Sequence, residues 1–281
     1  MSLPHRSILL AATIAAAPVL ASAAAPATLV ACAPGYPGTT AEAQPSMDAL
    51  AAAVAHRAGL PAAAVAAVYE PTAEGGLDRL RKPDAAVALV TLPFYLEHGA
   101  SLRITPELAA SLQAGGPSET WTLVAKKGRV SKPADLARFT VYSIAGYAPR
   151  FVRAAPGAWG RIPESARIVA SGQVLSSLRK AAAGEDVAVV LDGAQSEALP
   201  SLPFAADLEV LARSPPVPSA IIGPVGKVGA ARWPTLKRAL LGLADDPQGA
   251  AARVAIRMSK FVPLDPAALA AARQLVAGSG R

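Results

Sequence analysis

One cysteine in 281 residues sets the first limit on this chain. A lone thiol excludes an intramolecular disulfide, so stability has to come from an apolar core. Histidine is nearly as scarce, with three copies. His5, His56 and His98 show no metal-ligand spacing, and Glu97-His98 is an isolated pair. No histidine lies near Cys32 in the sequence to activate it as a nucleophile. Gly-x-Ser-x-Gly, Walker and Gly-x-Gly-x-x-Gly signatures are all missing. The expectation is therefore a non-enzyme, with no catalytic residue, no metal and no cofactor. Aromatic residues make up only 5% of the chain and charged residues 17%. The basic excess of +7 is dispersed. Its small groups, Arg79-Arg81-Lys82 and Lys126-Lys127-Arg129, are not interleaved with aromatics. That is the pattern of a solvated surface, with a modest field favouring anionic solutes as the other reading, and it excludes a nucleic-acid partner.

What the chain has in quantity is apolar residues, at 52%. That content and length suit one large or two moderate folded domains. The first residues differ in kind. His5 and Arg6 form a short basic region, Ile8 to Leu20 an apolar one, and Ala21-Ser22-Ala23 an A-x-A cleavage site. Residues 1–23 are expected to be a signal peptide cut after Ala23, which makes the chain periplasmic. A membrane anchor is possible by length, but Pro18 and Pro26 interrupt the run. Leu29-Val30-Ala31-Cys32 also matches a lipobox preceding a lipidated cysteine. The preferred reading is a first core strand, Leu29 to Ala33, whose burial explains a small apolar Cys.

Short apolar runs alternate with helical ones along the rest of the chain. Ala63–Tyr69, Ala85–Thr91, Phe139–Ser143, Ala166–Ala170 and Val187–Leu191 lack period-2 alternation, as strands buried on both faces do. Ser46 caps a helix over Met47–Arg57. Thr105-Pro106-Glu107 opens a helix over Leu108–Gln113. Gln173–Ala183 is a helix stopped by Gly184. The alternation implies an α/β fold with mostly parallel sheets flanked by helices. Two stretches break the rhythm: the flexible turn Ala114-Gly115-Gly116-Pro117-Ser118 and the stiff Arg213-Ser214-Pro215-Pro216-Val217-Pro218. They are taken as crossover segments between two lobes. Residues 24–118 plus 220–281 would form lobe 1 and residues 119–219 lobe 2. After Ser219 to Gly223, only helices are expected: Trp233–Ala244, Gln248–Met258 and Pro266–Ala277.

With the crossings placed, several stretches carry a resemblance. They are Cys32-Ala-Pro-Gly-Tyr36-Pro-Gly, Asp84-Ala-Ala-Val-Ala-Leu-Val-Thr-Leu-Pro93-Phe-Tyr95 and Ser143-Ile-Ala-Gly-Tyr147. To these are added the helix–strand pair Leu178 to Asp192, Ser214-Pro-Pro-Val-Pro218 and the helix start Ala244-Asp-Asp-Pro-Gln-Gly249. Over about residues 28–262 the chain resembles type II periplasmic substrate-binding proteins, specifically the phosphate/phosphonate-binding branch of ABC-transporter solute receptors. The resemblance implies a two-lobed receptor that closes on a small anionic or polar solute and presents it to an ABC permease, as a monomer. The alternative is a periplasmic sensor or interaction module of the same fold acting on a protein partner. The branch usually has Ser-Thr-Ser-Gly-Tyr where this chain has Ser143 to Tyr147, so Ile144 and Ala145 remove two hydroxyls. Gln173 stands where the branch often has His.

Ligands of such folds sit beyond the carboxyl ends of the strands. Tyr36, Thr39 and Thr40 follow the first strand, in what is either a solute loop or an ordinary tight βα loop. Thr91 and Tyr95 follow the third, and a tyrosine hydroxyl needs a partner that a cleft supplies. Ser143 and Tyr147 end a lobe 2 strand and open a helix, as anion ligands or as a cap. Gln173 and Asp192 complete the candidate set, Asp192 with a helix cap as its other reading. Glu119 and Trp121 sit at the crossing, and Trp121 is assigned to the core.

Overall fold

The computed structural model describes residues 25–112 and 116–278. The expected signal peptide and part of the first crossover turn lie outside the described residues. The chain runs β1 (Ala27–Cys32), α1 (Thr40–Arg57), β2 (Val65–Glu70), α2 (Ala73–Leu80), β3 (Ala85–Thr91), α3 (Leu92–His98) and β4 (Leu108–Leu112). The middle section contains β5 (Ser118–Glu119), β6 (Thr122–Lys126), β7 (Thr140–Ser143), α4 (Pro149–Ala154) and β8 (Arg167–Ala170). It continues with α5 (Val174–Ala183), β9 (Val187–Leu191), α6 (Gly193–Ala198), β10 (Leu208–Arg213) and β11 (Val217–Pro218). The last section is β12 (Ala220–Pro224), α7 (Gly226–Gly242), α8 (Pro247–Ala255), β13 (Met258–Pro263) and α9 (Pro266–Ala277).

These strands form two main sheets, one in each lobe. The first has the order β13-β4-β12-β3-β1-β2 and the second β10-β6-β9-β7-β8. Continuous apolar runs place β3, β9 and β12 in the sheet interiors, with all or nearly all of their residues buried. The two stretches that broke the sequence rhythm meet. β5 and β11 pair antiparallel, Ser118 opposite Pro218 and Glu119 opposite Val217. Both chain crossings between the sheets thus run side by side.

Four expectations need correction. The sheets are mixed, not mostly parallel. Parallel pairing joins β1 to β2 and β3, and β7 to β8 and β9, while the other ladders of both sheets are antiparallel. The helix read after Pro106 is strand β4, because Leu108, Ala109 and Ala110 are buried between β12 and β13. Local helix-start signals lose there to cross-strand pairing. Gly223 makes room for that approach, since a Cβ on it would lie 1.7 Å from the Thr105 carbonyl oxygen. Helix α1 begins at Thr40, not Met47. Thr39 and Glu42 form a capping box that outcompetes Ser46 despite the interior Pro45. Finally, β13 lies in the segment expected to be only helical, where Phe261 inserts into the lobe 1 core beside β4.

Each lobe has a core of its own, and a further apolar cluster runs through both. It holds Val30, Val90 and Phe94 from the first lobe together with Leu123, Val141 and Phe151 from the second. No helix among the described residues is long and apolar enough to cross a membrane.

Candidate functional site

The carboxyl ends of β1, β3, β7 and β9 face one another across the gap between the sheets. Beyond β1 the backbone turns at Gly35, whose φ of +83° suits glycine, and presents Tyr36. Thr91 closes β3 and Pro93 sits in the first turn of α3. From the opposite lobe come Glu119 on β5, Trp121 just before β6, and Ile144, Ala145 and Tyr147 after β7. Together with Pro34, these residues line a cavity between the lobes that in this closed form is too narrow to admit a water molecule.

Two side-chain hydrogen bonds hold the lobes shut over it. The Tyr36 hydroxyl donates to Asp192 Oδ2 at 2.8 Å. Thr91 Oγ1 and the Tyr147 hydroxyl lie 2.8 Å apart, either one donating. The backbones approach just as closely, since a Cβ on Gly35 would lie 2.8 Å from Ile144 Cγ1 and one on Gly172 2.8 Å from the Gly35 carbonyl oxygen.

The cleft is acidic. Burial pushes the Glu119 carboxyl up to about 8, the Gly193 N–H opposes that rise and the neighbouring Asp192 adds to it. Glu119 Oε2 accepts the Gly193 N–H at 3.0 Å, and Asp192 caps α6 through the Gln195 N–H at 2.8 Å. Asp192 is buried, which raises its pKa against the pull of that N–H and of the Tyr36 hydroxyl. The Tyr36 and Tyr147 hydroxyls are also pushed up, chiefly by burial. Trp121 packs edge-on against Phe151 with ring centroids 5.0 Å apart, and its buried indole N–H has no partner within hydrogen-bond geometry. No Lys, Arg or His lines the cavity among the described residues.

Of the nine residues singled out in the sequence, the structure brings Tyr36, Thr91, Tyr147 and Asp192 together. The other five stand elsewhere. Thr39 is the exposed N-cap of α1 and Thr40 its first residue. Tyr95 is buried in the apolar cluster that runs through both lobes, its hydroxyl partnered by Arg273 of α9. Ser143 is fully buried; its hydroxyl donates to Val190 O at 2.8 Å and accepts the Ala145 N–H at 3.2 Å. The Ala145, Gly146 and Ala148 N–H groups are bonded within the turn, and α4 starts only at Pro149. The helix opening directly from Ser143, with N–H groups facing an anion, is therefore not formed. Gln173 is exposed at the start of α5.

Glu119 and Trp121 are the cleft residues that sequence reasoning undervalued. Their signal was position, a carboxylate and an indole on the crossover itself. Cys32 ends β1 with its thiol buried and directed at the Thr72 carbonyl, as a core cysteine. Cleavage before it would remove Ala27–Ala31 from between β2 and β3.

No protein-family model matches the chain, and no curated protein matches it. Solved structures do match. A binding-protein component of an ABC phosphonate transporter from Pseudomonas aeruginosa superposes with TM-score 0.64 at 14% identity, covering 90% of this chain and 86% of that one. A Xanthomonas citri protein bound to ATP gives TM-score 0.67 at 17% identity, covering 90% and 97%. PhnD1 from Prochlorococcus marinus, in complex with methylphosphonate, gives 0.57 at 13% identity, covering 90% and 98%. The chain has the two-lobed fold of type II periplasmic binding proteins.

Proposed function

We propose that this chain is an exported solute receptor, the substrate-binding component of an ABC importer, whose lobes close on a small polar molecule. The observation that carries this reading is the cleft itself. Opposed strand ends meet at a small cavity, cross-lobe hydrogen bonds from Tyr36 and Thr91 shut it, and paired crossovers leave a hinge beside it. A solute that touches both lobes stabilises the closed form, because it has more partners there than in the open form. In this reading lobe 1 comprises residues 24–118 and 220–281, lobe 2 residues 119–219, and residues 1–23 direct export. Tyr36, Thr91, Tyr147 and Asp192 are the solute contacts, joined by Glu119 and Trp121, and a monomer delivers the solute to a membrane permease. The likeness to a phosphonate-transporter component supports the receptor role but not the solute, since identity is only 14%. Among the described residues the lining of the cavity carries no Lys, Arg or His.

A thermal-shift screen of the purified chain against organic cations, amino acids, sugars, phosphate and phosphonates tests the receptor role. A solute at about 100 times its Kd adds about 2.7 kcal/mol to stability. For a chain of this size that raises Tm by roughly 5–10 °C. A panel without any shift, on protein that melts cooperatively, would refute the receptor role and point to a protein partner.

A further inference from the structure

The chemistry around the cavity runs against an anion. The first turn of α6 is already occupied by two carboxylates, Glu119 on the Gly193 N–H and Asp192 on the Gln195 N–H. A phosphate or phosphonate entering here would meet the Glu119 and Asp192 carboxyl groups and no Lys, Arg or His among the described residues. A cation meets the opposite situation. Glu119 lines the cavity, and Asp192 stands behind Tyr36. Three of the chain's few aromatic rings, Tyr36, Trp121 and Tyr147, line the same small space. Aromatic rings and a carboxylate together suit an ammonium group, which gains both cation–π and charge attraction once desolvated.

A second observation narrows the class. Trp121 is only 2% exposed and lies at the cavity, and its indole N–H faces the Glu119 carboxyl from outside hydrogen-bond geometry. An unpaired buried donor costs about 1–3 kcal/mol, and an acceptor oxygen on the solute would remove that cost.

Resting on the receptor reading above, we propose that the cleft selects a small organic ammonium compound bearing an acceptor oxygen, such as an amino alcohol. Glu119 is its counter-charge, Tyr36, Trp121 and Tyr147 surround its cationic head, and the Trp121 N–H donates to its oxygen. The solute displaces the Tyr36–Asp192 and Thr91–Tyr147 contacts that shut the empty cleft. Glu119 must be ionised to pair with it. Facing Glu119 are Asp192, which opposes its ionisation, the Gly193 N–H and the Trp121 indole, which favour it, and the neutral hydroxyls of Tyr36 and Tyr147. Ammonium binding at neutral pH is therefore coupled to release of a proton.

Isothermal titration calorimetry of the full chain decides the matter, with ethanolamine, choline, tetramethylammonium, glycerol, methylphosphonate and inorganic phosphate as probes. The expected result is saturable binding of ethanolamine or choline, with heats that vary with buffer ionisation enthalpy as a proton leaves, and none of methylphosphonate or phosphate. Glu119→Gln is expected to weaken ammonium binding roughly thirtyfold or more. Should that variant not fold, Trp121→Phe keeps a ring and removes the N–H, and is expected to weaken choline more than tetramethylammonium. Binding of methylphosphonate, phosphate or glycerol with indifference to ammonium compounds would overturn the cation assignment and leave the receptor standing. Silence from every probe, and from the wider thermal-shift panel, would overturn both.

Discussion

Ser143 and Glu119 show what burial does to two polar side chains of the same lobe. Ser143 has the chemistry of a ligand contact, yet its hydroxyl is fully used inside the lobe 2 sheet, on Val190 O and the Ala145 N–H. Ser143→Ala is therefore expected to lower stability by about 1–2 kcal/mol in urea melts, without changing solute affinity per folded molecule. An affinity loss at unchanged stability would put the hydroxyl back in the cleft. Glu119 is held mostly protonated at neutral pH, its folded pKa of about 8 lying well above its ordinary 4.5. A raised carboxyl pKa stabilises the fold below the unfolded value, and that contribution is lost as pH rises through the folded value. The chain is thus expected to lose roughly 5 kcal/mol of stability between about pH 5 and about pH 9. Glu119→Gln should flatten that slope in pH-resolved thermal melts, and an unchanged slope would mean another group is responsible.

At the scale of elements, the strands that could be read from the sequence were those whose signal is entirely local. β3 and β9 are apolar runs buried on both faces, and they end where the sequence placed them, at Thr91 and Leu191. β4 and β13 could not be read that way. Leu108–Leu112 is a short run behind a proline and a glutamate, and only its neighbours β12 and β13 make it extended. The same limit affected the site. Tyr36, Thr91, Tyr147 and Asp192 come together because each ends or follows a strand of the parallel pairs, whereas the Tyr95 hydroxyl meets Arg273, 178 residues away, which no local pattern announces. α1 is an intermediate case, since its capping box is local but overlaps a loop read as a solute contact. Thr39 accepts the Glu42 N–H while Glu42 accepts the Thr39 N–H. Thr39→Ala should consequently cost about 1 kcal/mol of stability and leave solute binding intact. A binding defect there, with normal stability, would return Thr39 to the solute loop.

For the whole molecule, the decisive quantity is the free energy that holds the two lobes together. The two cross-lobe hydrogen bonds contribute about 1 kcal/mol each, net of solvent. The apolar cluster shared by the lobes adds to them. Closure thus rests on contacts along the seam between the lobes, which a steric insult placed there opposes. Gly172 is the place to apply one. Its backbone φ is not in the left-handed region, and the atoms near a Cβ placed there are Gly35 O at 2.8 Å and Gly35 C at 3.9 Å, both across the cleft. Gly172→Ala therefore introduces no clash within its own lobe and a direct one between lobes. The Gly35 carbonyl belongs to the backbone and cannot swing aside as a flexible side chain would. The variant is expected to melt near the wild-type temperature but to populate the open form. Small-angle scattering should show a radius of gyration above the roughly 18 Å of a compact chain of this length, and Trp121 fluorescence should shift as its pocket hydrates. Solute affinity should fall, because binding now has to overcome the wedge. If Gly172→Ala scatters and binds as wild type does, the two lobes do not meet there in solution, and the hinge reading of β5 and β11 loses its main mechanical support.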